Sequence, residues 1–219
     1  PERTDFSIFA SMDTAKEVGG DFYDFYLLGE NHLAFLIADV SGKGIPAALF
    51  MMKAKTLIKS LTESGLSPTD VFQQANEKLC EGNEAEMFVT AWLGILDTET
   101  GIVNFANAGH NAPILAQHHQ PVNFLHMKAD LVLGVIKDIP YNEGHFTMLP
   151  GDTIFLYTDG LPEAINHVTE PFGKDRMLEL VRQKATAPVE ELLPAMNYAV
   201  KFFVGQAEQF ADITMLGLK

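Results

Sequence analysis

Two mostly apolar runs in this chain each stop at an aspartate and a turn, and that pairing constrains the fold more than any other feature. His32 to Ala38 (HLAFLIA) closes on Asp39 and the turn Ser41-Gly42-Lys43-Gly44; Thr153 to Tyr157 (TIFLY) closes on Thr158-Asp159-Gly160. Short apolar runs bounded by turn residues read as buried strands. A carboxylate at the end of such a strand is costly unless it is paired, hydrogen-bonded or bound to a metal. A third aspartate, Asp21, follows Gly19-Gly20, with Asp24 three residues on. If such carboxylates converge they repel, and divalent cations relieve the repulsion. A carboxylate-rich, histidine-poor set suits Mg²⁺ or Mn²⁺ rather than zinc. Aspartate is also an ordinary turn residue, so the pattern leaves open either an acidic metal site or plain turns.

Around these runs the chain reads as strands at 6–12 and 22–28, then a helix with Pro46 in its first turn. Leu49, Met52, Leu57 and Leu61 mark that helix, and Met51, Met52 and Leu57 are expected in the core. A second helix starts at Ser67 as N-cap, Pro68 first and Asp70 in the first turn. Strands at 88–96 and 101–106 flank the turn Asp97-Thr-Glu-Thr-Gly101, and further strands fall at 112–116 and 145–148. Helices are predicted over 173–183 and much of 188–204, where Pro194 argues for a kink or a late start. A strand at 212–218 closes the chain. Short connections favour antiparallel pairing, so the class is α+β, a single domain over 1–219 with helices on antiparallel sheets.

Composition narrows the function. The net charge is −14, which disfavours nucleic acid and anionic membranes as partners. It also disfavours a phosphorylated substrate unless cations reverse the sign locally. The one cysteine, Cys80, allows no intrachain disulfide and fits a reducing, cytoplasmic compartment. No run approaches the roughly 18–20 apolar residues of a membrane span, and no signal peptide is read. The chain starts at Pro1 without a methionine, which reads as a domain excised from a longer regulator.

Five motifs then follow in order. Glu17-Val-Gly-Gly-Asp-Phe-Tyr-Asp24 resembles the opening motif of SpoIIE/RsbU-type protein phosphatases, of the PPM (type 2C) superfamily. Ala38-Asp39-Val40-Ser41-Gly42-Lys43-Gly44 is similar to their second, Asn107-Ala-Gly-His110-Asn111 to a third, and Gly151-Asp152 with Tyr157-Thr158-Asp159-Gly160-Leu161 and Glu163-Ala164 to a fourth. Phe210-Ala211-Asp212-Ile213-Thr214 stands where the last is expected.

The resemblance implies two antiparallel sheets packed face to face with helices outside, and a site for two Mn²⁺ or Mg²⁺ ions. By the same resemblance Asp39 bridges the ions, the Val40 carbonyl adds a ligand, Asp159 binds the other ion, and Asp21 binds or orients metal-bound water. A metal-activated water then hydrolyses phosphoserine or phosphothreonine, with Lys43 and the 41–44 turn as candidates to hold phosphate. The wider superfamily often has a histidine where this chain has Ser41. His110 reads as structural, in a turn-like motif. The implied partner is a phosphorylated STAS-domain anti-sigma-factor antagonist, and a homodimer is allowed.

One position departs from the pattern. The last motif usually begins with a metal-binding aspartate, and here that place is Ala211. Alanine offers no side-chain ligand, so the second ion is expected to bind weakly or not at all. Asp212 is expected to point the other way, since adjacent strand residues alternate. Ala211 makes the chain either a natural pseudophosphatase that binds phosphoproteins or a variant altered at this residue. The intact remaining motifs favour the second.

Overall fold

The computed structural model describes residues 3–118 and 120–219. In chain order the elements are β1 (Ile8–Asp13), β2 (Phe22–Leu28), β3 (His32–Val40), α1 (Ile45–Glu63), α2 (Pro68–Cys80), β4 (Val89–Asp97), β5 (Ile102–Ala108), β6 (Ile114–Ala116) and β7 (Asn123–Phe124). There follow β8 (Glu143–Thr147), β9 (Thr153–Tyr157), α3 (Gly160–Glu163), α4 (Lys174–Gln183), α5 (Val189–Val204) and β10 (Ile213–Leu218). The chain divides into two compact units, one built on Lys16–His110 and Met127–Thr147, the other on residues 3–15, Asn111–His126 and Met148–Lys219. Each contains one antiparallel five-stranded sheet with helices, so the α+β class read from the sequence is the class observed. Among the described residues no helix is long and apolar enough to cross a membrane.

The first unit has strand order β2-β3-β4-β5-β8. β3 is an interior strand buried on both faces, which is why its sequence runs apolar without alternation. Leu36, Ala38 and Val40 pack with Ala54 and Ile58 of α1 and with Phe72 and Leu79 of α2. The opposite face carries Leu33, Phe35 and Ile37, all fully buried. There Phe35, Trp92 and Phe105 form an aromatic row, with ring centroids 5.3 and 5.1 Å apart. α2 begins as expected: the Ser67 hydroxyl accepts the Asp70 N–H at 3.2 Å.

α1 differs from expectation. Leu49 and Met52 are 68% and 55% exposed, so Met52 is not core. The buried positions are Ala47, Ala54, Ile58 and Thr62, with Met51 and Leu57 only partly buried. Apolar residues surround this helix, so periodicity cannot select a face. The small Ala47 and Ala54 decide it, because they let the backbone approach the sheet closely.

The second unit has order β1-β10-β9-β6-β7. Phe155, Tyr157 and Met215 pack with Met177 and Val181 of α4 and Leu192, Leu193 and Met196 of α5. Pro194 does not delay α5, which starts at Val189 and carries the proline inside it. Pro194 and Glu190 are both exposed. The ring therefore projects into solvent, and water can satisfy the Glu190 carbonyl that loses its donor. The sequence reading contained neither the two-residue β7 nor the four-residue α3, which are too short to carry a period.

Asp152 anchors the turn into β9. It is 1% exposed, and it accepts the N–H groups of Leu149 and His118 at 2.9 and 2.8 Å. The His118 ring and the Gln117 amide lie at 3.2 and 3.4 Å. Burial alone would raise its pKa, but these hydrogen bonds outweigh it and hold the carboxyl below its ordinary value. The depressed folded-state pKa means the contribution to stability is complete above about pH 4, the unfolded value, and is lost as pH falls through the folded one. Asp152→Ala is therefore expected to lower unfolding free energy by about 2–3 kcal/mol at pH 7. Urea melts at pH 7 and pH 3 check this, and the gap between the two proteins should narrow at the lower pH.

Candidate functional site

The sequence candidates divide between the two units. Asp21, Asp39, Val40 and Lys43 lie in the first; Asp159 and Ala211 lie in the second.

In the first unit, β2 pairs with β3 so that Phe22 stands opposite Ala38. Continuing that register by one residue sets Asp21 against Asp39, at the same end of the strand pair. Asp21 is 3% exposed, and Asp39 is half-buried. Gly20 explains itself here: a Cβ on it would stand 2.8 Å from the Val40 carbonyl oxygen. Only glycine lets the backbone at 20 come this close to that oxygen. Asp24 goes elsewhere. It lies on the helix-facing side of β2, with its carboxylate 4.0 Å from Lys55 Nζ and 3.9 Å from Lys59 Nζ, and so has a structural role.

On the other side of β3, Asp39 stands opposite Thr90 of β4. Directly opposed residues share a face, and the Thr90 hydroxyl lies 2.9 Å from His110 Nδ1. His110 is 5% exposed. Its backbone is fixed by Asn107, whose side chain accepts the His110 N–H at 2.8 Å and donates to its carbonyl at 3.0 Å. Thus the Asn107–Asn111 motif serves as a lock that places an imidazole one residue away from Asp39. Sequence reasoning missed the Thr90 link, because nothing in the sequence marks Thr90. Ser41 extends the β3–β4 ladder: its N–H donates to the Phe88 carbonyl, and its hydroxyl accepts the Phe88 N–H, both at 2.9 Å. Lys43 follows in an exposed turn before α1.

In the second unit, β9 and β10 end together. Thr158 N–H donates to the Thr214 carbonyl, and Thr214 N–H donates to the Thr158 hydroxyl, each at 3.0 Å. This reciprocal pair ties the Asp159 turn to the Ala211-Asp212 segment. The approach is close: a Cβ on Gly160 would stand 2.0 Å from the Asp212 carbonyl oxygen and 3.2 Å from Ala211 Cβ. Asp159 is exposed, and its carbonyl accepts the Glu163 N–H at 3.0 Å across α3. Asp212 is used structurally, its carboxylate accepting the Ala15 N–H at 2.8 Å.

The structure thus sets Asp21 opposite Asp39 with Gly20 against Val40, and sets Gly160, next to Asp159, against Ala211. Among the described residues no group of three or more His, Cys, Asp or Glu is assembled as a metal cluster.

A family model described as Stage II sporulation protein E (SpoIIE) matches residues 29–219. Phosphoserine phosphatase RsbU of Bacillus subtilis is 33% identical over 164 residues, covering 74% of this chain and 48% of that protein. The chain spans about half or less of the length of the curated relatives it matches. Among solved structures, the SiaA-PP2C domain of Pseudomonas aeruginosa superposes with a TM-score of 0.85 at 24% identity, covering 97% of this chain and 85% of that one. The catalytic domain of serine threonine protein phosphatase PstP, solved with two manganese ions, superposes at 0.68 with 15% identity, covering 98% and 97%. At these identities the structural likeness speaks to the fold.

Proposed function

The chain belongs to the Stage II sporulation protein E (SpoIIE) family, and from that premise we propose that it is a PP2C-type phosphatase domain acting on phosphoserine or phosphothreonine of a regulatory protein. The observation that carries the reading is the juxtaposition of Asp21 with Asp39 beside the Val40 carbonyl, which only glycine at position 20 can approach so closely. That is an all-oxygen donor set. Mg²⁺ and Mn²⁺ accept such sets, and one or two carboxylates with water completing the shell suffice for Mg²⁺. RsbU is a phosphoserine phosphatase, which supports the reaction; PstP was solved with two manganese ions, which supports divalent cations as the metals.

In this reading Asp39, the Val40 carbonyl and Asp159 would hold divalent cations, and Asp21 would bind or orient a water on them. Bound cations would supply an activated water and neutralise the phosphate, which an acidic chain of net charge −14 otherwise repels. Lys43 and the neighbouring N–H groups hold the phosphate oxygens. Ser41 stands where an imidazole would serve as acid, so the leaving serine takes its proton from water or another group. The substrate is proposed to be a STAS-domain antagonist of an anti-sigma factor. A second reading rests on Ala211 alone: with that ligand position empty of oxygen, the domain binds the phosphoprotein and does not turn it over.

The test is Mn²⁺-dependent phosphate release from a phosphoserine peptide by the Ala211→Asp variant, with Asp39→Asn added as control. Release that disappears with Asp39→Asn, while the melting temperature stays put, is the expected result. Release that survives it removes Asp39 from the site. A folded, Mn²⁺-saturated Ala211→Asp protein that binds the peptide without release leaves the binding-module reading.

A further inference from the structure

A cavity of about 430 Å³ opens in the second unit between α5, α3 and the 205–211 segment. Its size is that of a ligand pocket. Gly160 and Ala211 belong to its wall, so it adjoins the end of β9 and β10 where Asp159 sits. Ile165, Val200, Val204 and Ile213 give it an apolar body.

Its charges are unevenly satisfied. Asp13 is held by the Asn197 amide at 2.7 Å and by Lys201 Nζ at 3.0 Å. Burial would raise the Asp13 pKa, yet these partners hold it below the ordinary value, so this carboxylate and the lining Lys201 ammonium neutralise each other. Gln209 closes the wall, donating to the carbonyls of Asp13 and Ala211 at 2.9 Å each. That leaves Glu163 and Glu208, which line the cavity and are exposed. Neither has a side-chain hydrogen bond or ion pair among the described residues.

We propose that this cavity is a subsite for a lysine or arginine side chain of the substrate segment flanking the phosphorylated residue. It rests on the phosphatase reading. A basic side chain has an apolar stem and a cationic head, matching an apolar body rimmed by two carboxylates. A protein occupant is favoured because Tyr198 and Phe202, one position on from Asn197 and Lys201 along α5, are 71% and 79% exposed. Such rings beside a pocket bury against a protein surface.

The experiment uses fluorescein-labelled phosphoserine peptides of one Ala/Ser scaffold with a single Arg moved from three residues before to three after the phosphoserine, and unphosphorylated twins. Anisotropy in Mn²⁺ buffer reads binding to the chain, to Glu163→Gln/Glu208→Gln and to the cavity-filling Ala207→Trp. One Arg position is expected to bind about three- to tenfold tighter than the Arg-free peptide. Both variants should abolish that gain while leaving Arg-free phosphopeptide binding unchanged, and Glu163→Gln/Glu208→Gln should also leave p-nitrophenyl phosphate hydrolysis on an Ala211→Asp background unchanged. Phosphate-dependent binding with no Arg preference, or a preference both variants retain, overturns the subsite and leaves the phosphatase reading. An Arg preference abolished by both variants, with no gain from phosphate, keeps the cavity as a basic-side-chain site and overturns the phosphatase reading. Absence of any binding overturns both.

Discussion

Ala211→Asp is expected to raise Mn²⁺-dependent hydrolysis of a phosphoserine peptide by at least about 100-fold. Residues that merely support a metal ligand are worth about 10- to 100-fold in metal affinity or activity, and a missing carboxylate ligand should cost no less. Position 211 is half-buried beside the Asp159 turn and lies in a cavity wall, so a carboxylate there has room. Its backbone is already fixed, with the Ala211 carbonyl accepting from Gln209 at 2.9 Å and Asp212 tied to Ala15. The added side chain therefore arrives on a pre-set frame and loses little conformational freedom on binding a cation. Calorimetric titration with Mn²⁺ should show a second, tighter step in the variant. If rate and titration both stay at the level of the parent chain, residue 211 is not the position of a ligand. If the titration improves and the rate does not, the defect lies elsewhere, and Ser41 becomes the first candidate.

The sequence made the site's parts legible but not their assembly. β9 and the start of α2 were readable to the residue, because TIFLY is bounded by Pro-Gly-Asp and by Thr158-Asp159, and Ser67-Pro68 marks a helix start. β3 runs past its apolar stretch to include Asp39 and Val40. That extension sets Asp39 opposite Thr90 and, by the continued register, opposite Asp21. Register depends on partners distant in sequence, which no local pattern contains. For the same reason Asp24 and Asp21 look alike in sequence yet face opposite sides of β2. The helix α1 failed in a different way. Its apolar residues outnumber one face, and only contact with the sheet distinguishes Ala54 from Met52.

Gly160→Ala is expected to destabilise the protein by about 3 kcal/mol, the upper part of the range for overpacking a tight site. Gly160 is fully enclosed, and its backbone does not take the left-handed conformation, so alanine meets no dihedral penalty. The cost is contact alone. The added methyl would stand 2.0 Å from the Asp212 carbonyl oxygen and 3.0 Å from its carbon. The first separation is far inside van der Waals contact, and the obstacle is backbone, which cannot swing aside as a side chain can. Relief requires the Ala211-Asp212 segment to move away from the Asp159 turn. That motion strains the Thr158–Thr214 hydrogen-bond pair and the Asp212–Ala15 contact. Urea unfolding should therefore show a lower midpoint with an unchanged slope. In the Ala211→Asp background the same substitution should lower hydrolysis even where the protein remains folded, because it separates residues 159 and 211. A midpoint equal to that of the parent would mean the two turns are not in contact, and would remove the reason for placing Asp159 and residue 211 at one end of the sheet.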